Sequence, residues 1–303
     1  MTNTTVRRTT LSIAAVAALT GVAACGSGGS GDGGGAAHVS PVAALRMADA
    51  STAKADSARV RTTLSMGTLM SMKTDGVLGW SDGMTGTLTI TYTGGRAAET
   101  MRKLGTATMQ ARYLSDGYYT RMSEQYANLA GGKHWLRYSY DDIAELGGGS
   151  GAYLKDQVQN STPNQGVRML LASGDVKRAG EEQVSGQHTT HYTGTVRIAD
   201  FADKANHDLS AAQLSSLKKQ LSQQGITTET VDIWINDQNL LVKKVEKADT
   251  ANGPMTNTTY FRDYGAKVSV TAPPANDTQD FTKLLKELGA AKGAAAGGAG
   301  TGS

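Results

Sequence analysis

From Thr85 to Tyr92 the chain reads TGTLTITY, with Leu88, Ile90 and Tyr92 alternating against Thr87, Thr89 and Thr91. A period of two places the apolar set on one face of an extended strand and the threonines on the other. The period recurs along the chain. Ala107, Met109, Ala111 and Tyr113 alternate with polar residues, Tyr192, Val196 and Ile198 oppose Thr193, Thr195 and Arg197, and Val231, Ile233 and Ile235 repeat the pattern. Turn-forming clusters separate the runs: Thr74-Asp75-Gly76, Ser81-Asp82-Gly83, Gly94-Gly95, Ser115-Asp116-Gly117 and Ser185-Gly186. Short alternating runs with such punctuation restrict the chain to a large antiparallel sheet with one buried face.

The run VRTTLSMGTLMSM, Val60 to Met72, extends the alternation furthest and sets Val60, Leu64, Met66, Met70 and Met72 on one face. Taken as a single strand it spans about 43 Å, roughly twice the usual length, and strands that long force a sheet to twist and curl. Three helices accompany the sheet. Ser40-Pro41 caps an alanine-rich helix reaching about Asp56, and Thr162-Pro163 caps one that carries Val167, Leu170 and Leu171 and stops at Gly174. Ser210 and Gln213 make a capping box for a third, whose Leu214, Leu217 and Leu221 form a stripe. The expected architecture is α+β: a curved antiparallel half-barrel with a few helices across its open side. A sheet curled in this way encloses a volume. The whole chain has only 3 phenylalanines to fill one, and methionine adapts to a guest of variable shape. Leu64, Met66, Met70, Leu88, Ile90, Tyr92, Met109 and Tyr113 are therefore the expected lining of a ligand cavity.

The ends specify a compartment. Residues 1–24 carry Arg7-Arg8, an apolar run from Leu11 to Val22 and small residues, the pattern of an export signal. They lead through Val22-Ala23-Ala24 into Cys25, the only cysteine, which makes a lipobox. Diacylation of Cys25 supplies two buried chains, enough for stable attachment to the extracytoplasmic face of the cell membrane. Residues 25–38 continue as a Gly/Ser tether without large apolar side chains, residues 39–285 form one domain, and residues 286–303 are a Gly/Ala tail. The chain's 30 Lys and Arg, less Arg7 and Arg8, leave 28 positive charges against 27 Asp and Glu. Near-neutrality argues against a nucleic-acid partner. Lys218-Lys219 and Lys243-Lys244 are read as solvated faces.

Catalytic patterns are sparse. Ser51 and Lys54 match SxxK but lack the KTG that completes such a serine site. His188 and His191, three apart in a strand, point to opposite faces and have no HExxH or cysteine partner for a metal. No acid–base pair, cofactor motif or enzyme activity is indicated.

Three segments carry a family likeness: LLASGDVKRAGEEQVSGQHTTHYTGTVRI from Leu170, TVDIWINDQNLLVKKVE from Thr230, and YFRDYGAKVSVTAPP from Tyr260. With them the chain resembles the LppX/LprG-type envelope lipoproteins of the LolA/LolB-like superfamily. The resemblance implies a curved half-barrel under helices, an acyl-chain cavity, no cofactor and no catalytic residues. Asn239 and Leu241 depart from the Gly and Pro expected after the hairpin turn, and Asn tolerates the left-handed backbone that Gly would supply. Two functions follow as expectations. One is an anchored lipoprotein that binds or carries a lipid or other hydrophobic ligand. The other is a non-catalytic lipoprotein that binds an envelope protein partner or senses the envelope.

Overall fold

The computed structural model describes residues 39–146, 162–197 and 225–287. The predicted signal, Cys25, the tether and the helix from Ser210 lie outside the described residues. The strands are β1 (Ser57–Met66), β2 (Met70–Gly79), β3 (Thr85–Gly94), β4 (Thr108–Leu114), β5 (Gly117–Arg121), β6 (Trp135–Ser139), β7 (Lys177–Val184), β8 (Gln187–Arg197), β9 (Thr228–Asn236), β10 (Leu241–Thr250), β11 (Gly253–Arg262) and β12 (Thr278–Asp280). They make one sheet in the order β12-β6-β5-β4-β3-β2-β1-β11-β10-β9-β8-β7. Every neighbouring pair is antiparallel except β12 with β6. The α+β reading of a large antiparallel sheet with a few helices holds.

The stretch from Val60 to Met72 corrects the expectation of one long strand. It contains the end of β1, a tight turn over Gly67, Thr68 and Leu69, and the start of β2. Met66 pairs with Met70, Leu64 with Met72 and Thr62 with Thr74. Three intervening residues keep the even-numbered side chains on the same face across the turn, so the alternation runs on through a reversal of direction. Gly67 has φ 45°, and a Cβ there would lie 1.7 Å from the Asn252 carbonyl oxygen, so the turn closes against the β10–β11 turn only with glycine.

Thr74-Asp75-Gly76 is the second correction: it lies in the middle of β2 rather than in a turn. Gly76 serves close approach, since a Cβ would stand 2.0 Å from the Thr87 carbonyl oxygen on β3. The other turn signals fall at strand ends. Ser185 and Gly186, at φ 52° and 78°, join β7 to β8 by the two-residue connection whose twist suits a hairpin. Asn239 takes φ 58° in the β9–β10 turn, the left-handed backbone expected of it.

The helices among the described residues include α1 (Pro41–Lys54), α2 (Gly95–Lys103), α3 (Glu124–Leu129), α4 (Tyr140–Leu146) and α5 (Gln165–Ser173), and a further helical stretch covers 281–287. Ser40 caps α1 through its hydroxyl, which accepts from the Ala43 amide at 3.3 Å. The Thr162-Pro163 cap is corrected. Helix α5 begins only at Gln165 after Asn164, whose amide instead donates to Asp49 Oδ1 of α1 at 2.5 Å. Gly174 ends α5 in the left-handed conformation, as its position implies.

Helices α1 and α5 pack together and close the inner face of the sheet over β8 to β10. Leu45, Ala48, Val167 and Leu170 meet Tyr192, Val196, Val231, Ile233 and Leu241 in the main core, every one of them buried. Helix α5 lies so close to β8 that a Cβ on Gly194 would fall 1.7 Å from the Asp175 carbonyl oxygen and 2.6 Å from Leu170 Cδ1. On the outer face a smaller cluster joins Val184, Trp234, Val242 and Val245, with Tyr260 packed beside it.

Candidate functional site

Beside this core the inner face leaves a cavity of about 300 Å³. That is at the small end of the range for pockets that hold small organic molecules. Val60, Thr62 and Leu64 of β1, Met72, Thr74 and Leu78 of β2, Leu88 and Ile90 of β3, and Tyr113 of β4 supply one wall. Asn257, Thr259 and Phe261 of β11 with Lys244 of β10 supply the other, and Gly79, Trp80, Met84, Thr162 and Pro163 complete the lining. Six adjacent strands thus face one cavity, which requires the sheet to curve about it.

Strand register explains this assembly. Across the sheet, Ile90 pairs with Thr74, Thr74 with Thr62, Thr62 with Thr259 and Thr259 with Lys244, a continuous row on one face. The next row runs Tyr92, Met72, Leu64, Asn257, Glu246. Of the residues expected from sequence, Leu64, Leu88, Ile90 and Tyr113 come together in the lining. Met66 and Met70 share the face but sit at the hairpin end, outside it. Tyr92 and Met109 also lie on that face without lining the cavity; Met109 is buried and pairs with Ile90.

Electrostatics divide the two walls. Tyr113 stacks on Tyr118, and Tyr118 on Tyr138, at 5.6 and 4.6 Å between centroids. Burial first, then the neighbouring Tyr92, pushes the Tyr113 hydroxyl up to about 12, so it stays neutral. The opposite wall is charged. Lys244 Nζ lies 2.5 Å from Glu246 Oε1, both side chains 11 % exposed, and Asn257 Nδ2 donates to Glu246 Oε2 at 2.8 Å. Glu229, half-buried, is raised to about 7, by burial first and then by the Glu246 charge, against the pull of Lys244.

The sequence pattern does not mark this wall, and the expectation of a solvated face at Lys243-Lys244 is corrected. The pair is split by the sheet. Lys243 Nζ lies 4.0 Å over the Trp234 ring on the outer face, while Lys244 turns inward. A bulge between Leu241 and Lys243 shifts the parity, so Leu241 and Lys244 share the inner face at odd spacing. The available signal was the KVE spacing of Lys244 and Glu246, which sets opposite charges on one side of a strand.

The histidines lie elsewhere. His191 stacks on Trp234 at 4.2 Å and pairs with Asp232 at 2.9 Å, while His188 pairs with Asp237 at 2.9 Å. Among the described residues no group of three His, Cys, Asp or Glu is placed to hold a metal, and no helix is long and apolar enough to cross a membrane.

No family model matches the chain. LprF from Mycobacterium bovis resembles it at 16% identity and TM-score 0.47, over 78% of this chain and 97% of that one. The Mycobacterium tuberculosis lipoprotein LppX does so at 15% and 0.46, over 76% and 98%. Closer in sequence is an uncharacterized 31.2 kDa protein of Streptomyces griseus, 51% identical over 84% of either chain. The Streptomyces coelicolor protein named "Putative lipoprotein SCO4650" is 46% identical over 95% of this chain and 100% of its own. With about half of its residues identical to theirs over most of its length, the chain belongs to the family of these two Streptomyces proteins.

Proposed function

We propose that the protein is an envelope lipoprotein, anchored to the extracytoplasmic face of the cell membrane through diacylated Cys25, that holds the acyl part of a lipid in the cavity. The carrying observation is the cavity wall of Leu64, Met72, Leu88 and Ile90, apolar side chains left half-buried beside a closed core. An acyl chain removed from water gains roughly 0.8 kcal/mol per methylene, so a wall of this kind binds without directed polar chemistry. The name of the Streptomyces coelicolor relative and the lipobox at Cys25 support the anchor. Flexible and unbranched, Met72 lets the wall conform to chains of differing shape.

Native mass spectrometry of the full chain purified from membranes tests the reading. A co-purifying lipid that a competing fatty ester displaces is the expected result. A protein that carries nothing and takes up no added lipid overturns it in favour of a lipoprotein that docks an envelope protein. The anchor is tested separately: Cys25→Ser should abolish incorporation of labelled palmitate and release the protein from the membrane fraction.

A further inference from the structure

The polar wall has an unmet valence. Asn257 Nδ2 is occupied by Glu246, and both Glu246 oxygens are occupied, one by Asn257 and one by Lys244. Asn257 Oδ1 remains, a buried acceptor with no hydrogen-bond partner among the described residues, on a side chain that lines the cavity. Buried polar atoms of this kind are few in folded proteins and demand a partner. What this atom lacks is a donor.

Charge narrows the donor's identity. Lys244 is already neutralised by Glu246 and is held in place: a Cβ on Gly166 of α5 would stand 2.5 Å from Lys244 Cδ, so helix backbone confines the lysine stem. Glu229 adds a second carboxylate on the same face, since it pairs with Ala248, two residues beyond Glu246. Above about pH 7, where Glu229 is ionised, one lysine against two glutamates repels an entering anion, and an ionised carboxylate or phosphate has no proton to offer Asn257. Thr62 and Thr259, their hydroxyl oxygens 3.0 Å apart, add neutral partners along the same wall. Leu64 stands directly across from Asn257 in the strand pairing, so the apolar wall adjoins this acceptor.

We propose that Asn257, backed by the Lys244–Glu246 pair, is a recognition site for a hydroxyl group on the uncharged head of an acyl lipid, of the class of a monoacylglycerol, and that it discriminates against the same chain ending in a carboxylate. The inference rests on the cavity reading above.

Two probes of equal chain length separate the two claims: 1-(9,10-dibromostearoyl)glycerol and 9,10-dibromostearate. Each is titrated at pH 8 into the full chain and read as quenching of tryptophan emission, since Trp80 lines the cavity. The glycerol ester should bind at least about tenfold tighter than the fatty acid. Asn257→Leu should weaken the ester by roughly tenfold and leave the fatty acid within about twofold, because only the ester uses the amide oxygen. Equal binding of both probes by the unaltered protein overturns hydroxyl recognition while the cavity reading stands. So does an Asn257→Leu effect of equal size on both. Absence of quenching by both probes overturns the cavity reading and this inference with it. The unaltered protein's ratio needs no variant, and Glu229→Gln gives a second test, in which loss of the wall's excess negative charge should tighten the fatty acid at least about threefold and leave the ester within about twofold.

Discussion

One face of one sheet has two fates in this protein. Under α1 and α5, Val231, Ile233 and Leu241 are fully buried against Leu45, Val167 and Leu170. A few strands away, Leu64, Leu88 and Ile90 arise from the same two-residue alternation and remain half-buried around a cavity. The side chains are of the same kind, and so is the strand geometry. Among the described residues, the two regions differ in what lies on top. Apolar alternation therefore specifies a face that must leave water, and a covering helix decides whether that face becomes core or the wall of a site.

The largest expected effect follows directly. Leu170→Ala deletes a side chain at 0 % exposure in the closed region and should cost about 2–5 kcal/mol in urea unfolding. Ile90→Ala in the cavity wall, already next to open space, should cost less than about 1.5 kcal/mol. If the two losses are equal, the face is one core throughout and the contrast is void.

Overfilling sharpens the comparison next. Met72→Trp should occupy the cavity and lower affinity for an acyl probe at least about tenfold, with the melting temperature within a few degrees of the parent. In a full core the same change would instead cost roughly 1–3 kcal/mol of stability.

A pH effect probes the charged boundary between the regions. Glu229 has its folded pKa at about 7, above the ordinary value of 4.5. Between those values the folded state holds a proton that the unfolded state has released, so stability falls as pH rises through the window. Glu229→Gln should remove this slope, raising the melting temperature at pH 8 by about 2 °C or more and leaving it unchanged near pH 4.5. A parallel shift at both pH values would place the effect outside the titration. The smallest effect belongs to the outer face. Thr89→Ser, exposed on β3, should change stability by under about 0.5 kcal/mol and probe affinity not at all.

Much of the wall was legible because a period of two survives whatever the chain does at its turns, provided the turn is odd in length. Val60, Leu64 and Met72 share a face in the hairpin as they would in one long strand, because three residues separate Met66 from Met70. The same property concealed the reversal of direction, and with it the fact that Met66 and Met70 end up at the turn. On the other wall the parity argument failed, since the bulge beside Lys243 inserts a residue into the count and turns Lys244 inward.

The α+β class, the apolar face of the central strands, the helix at Pro41 and the left-handed turn at Asn239 are legible along the chain, because each depends on residues adjacent in it. Where helices cover the sheet, that Gly76 serves strand contact rather than a turn, and that Lys244, Glu246 and Asn257 meet across β10 and β11 emerge only in the folded molecule. Those outcomes depend on pairing and packing between segments far apart in sequence, where one bulge or one close backbone approach redirects a side chain without leaving a local mark.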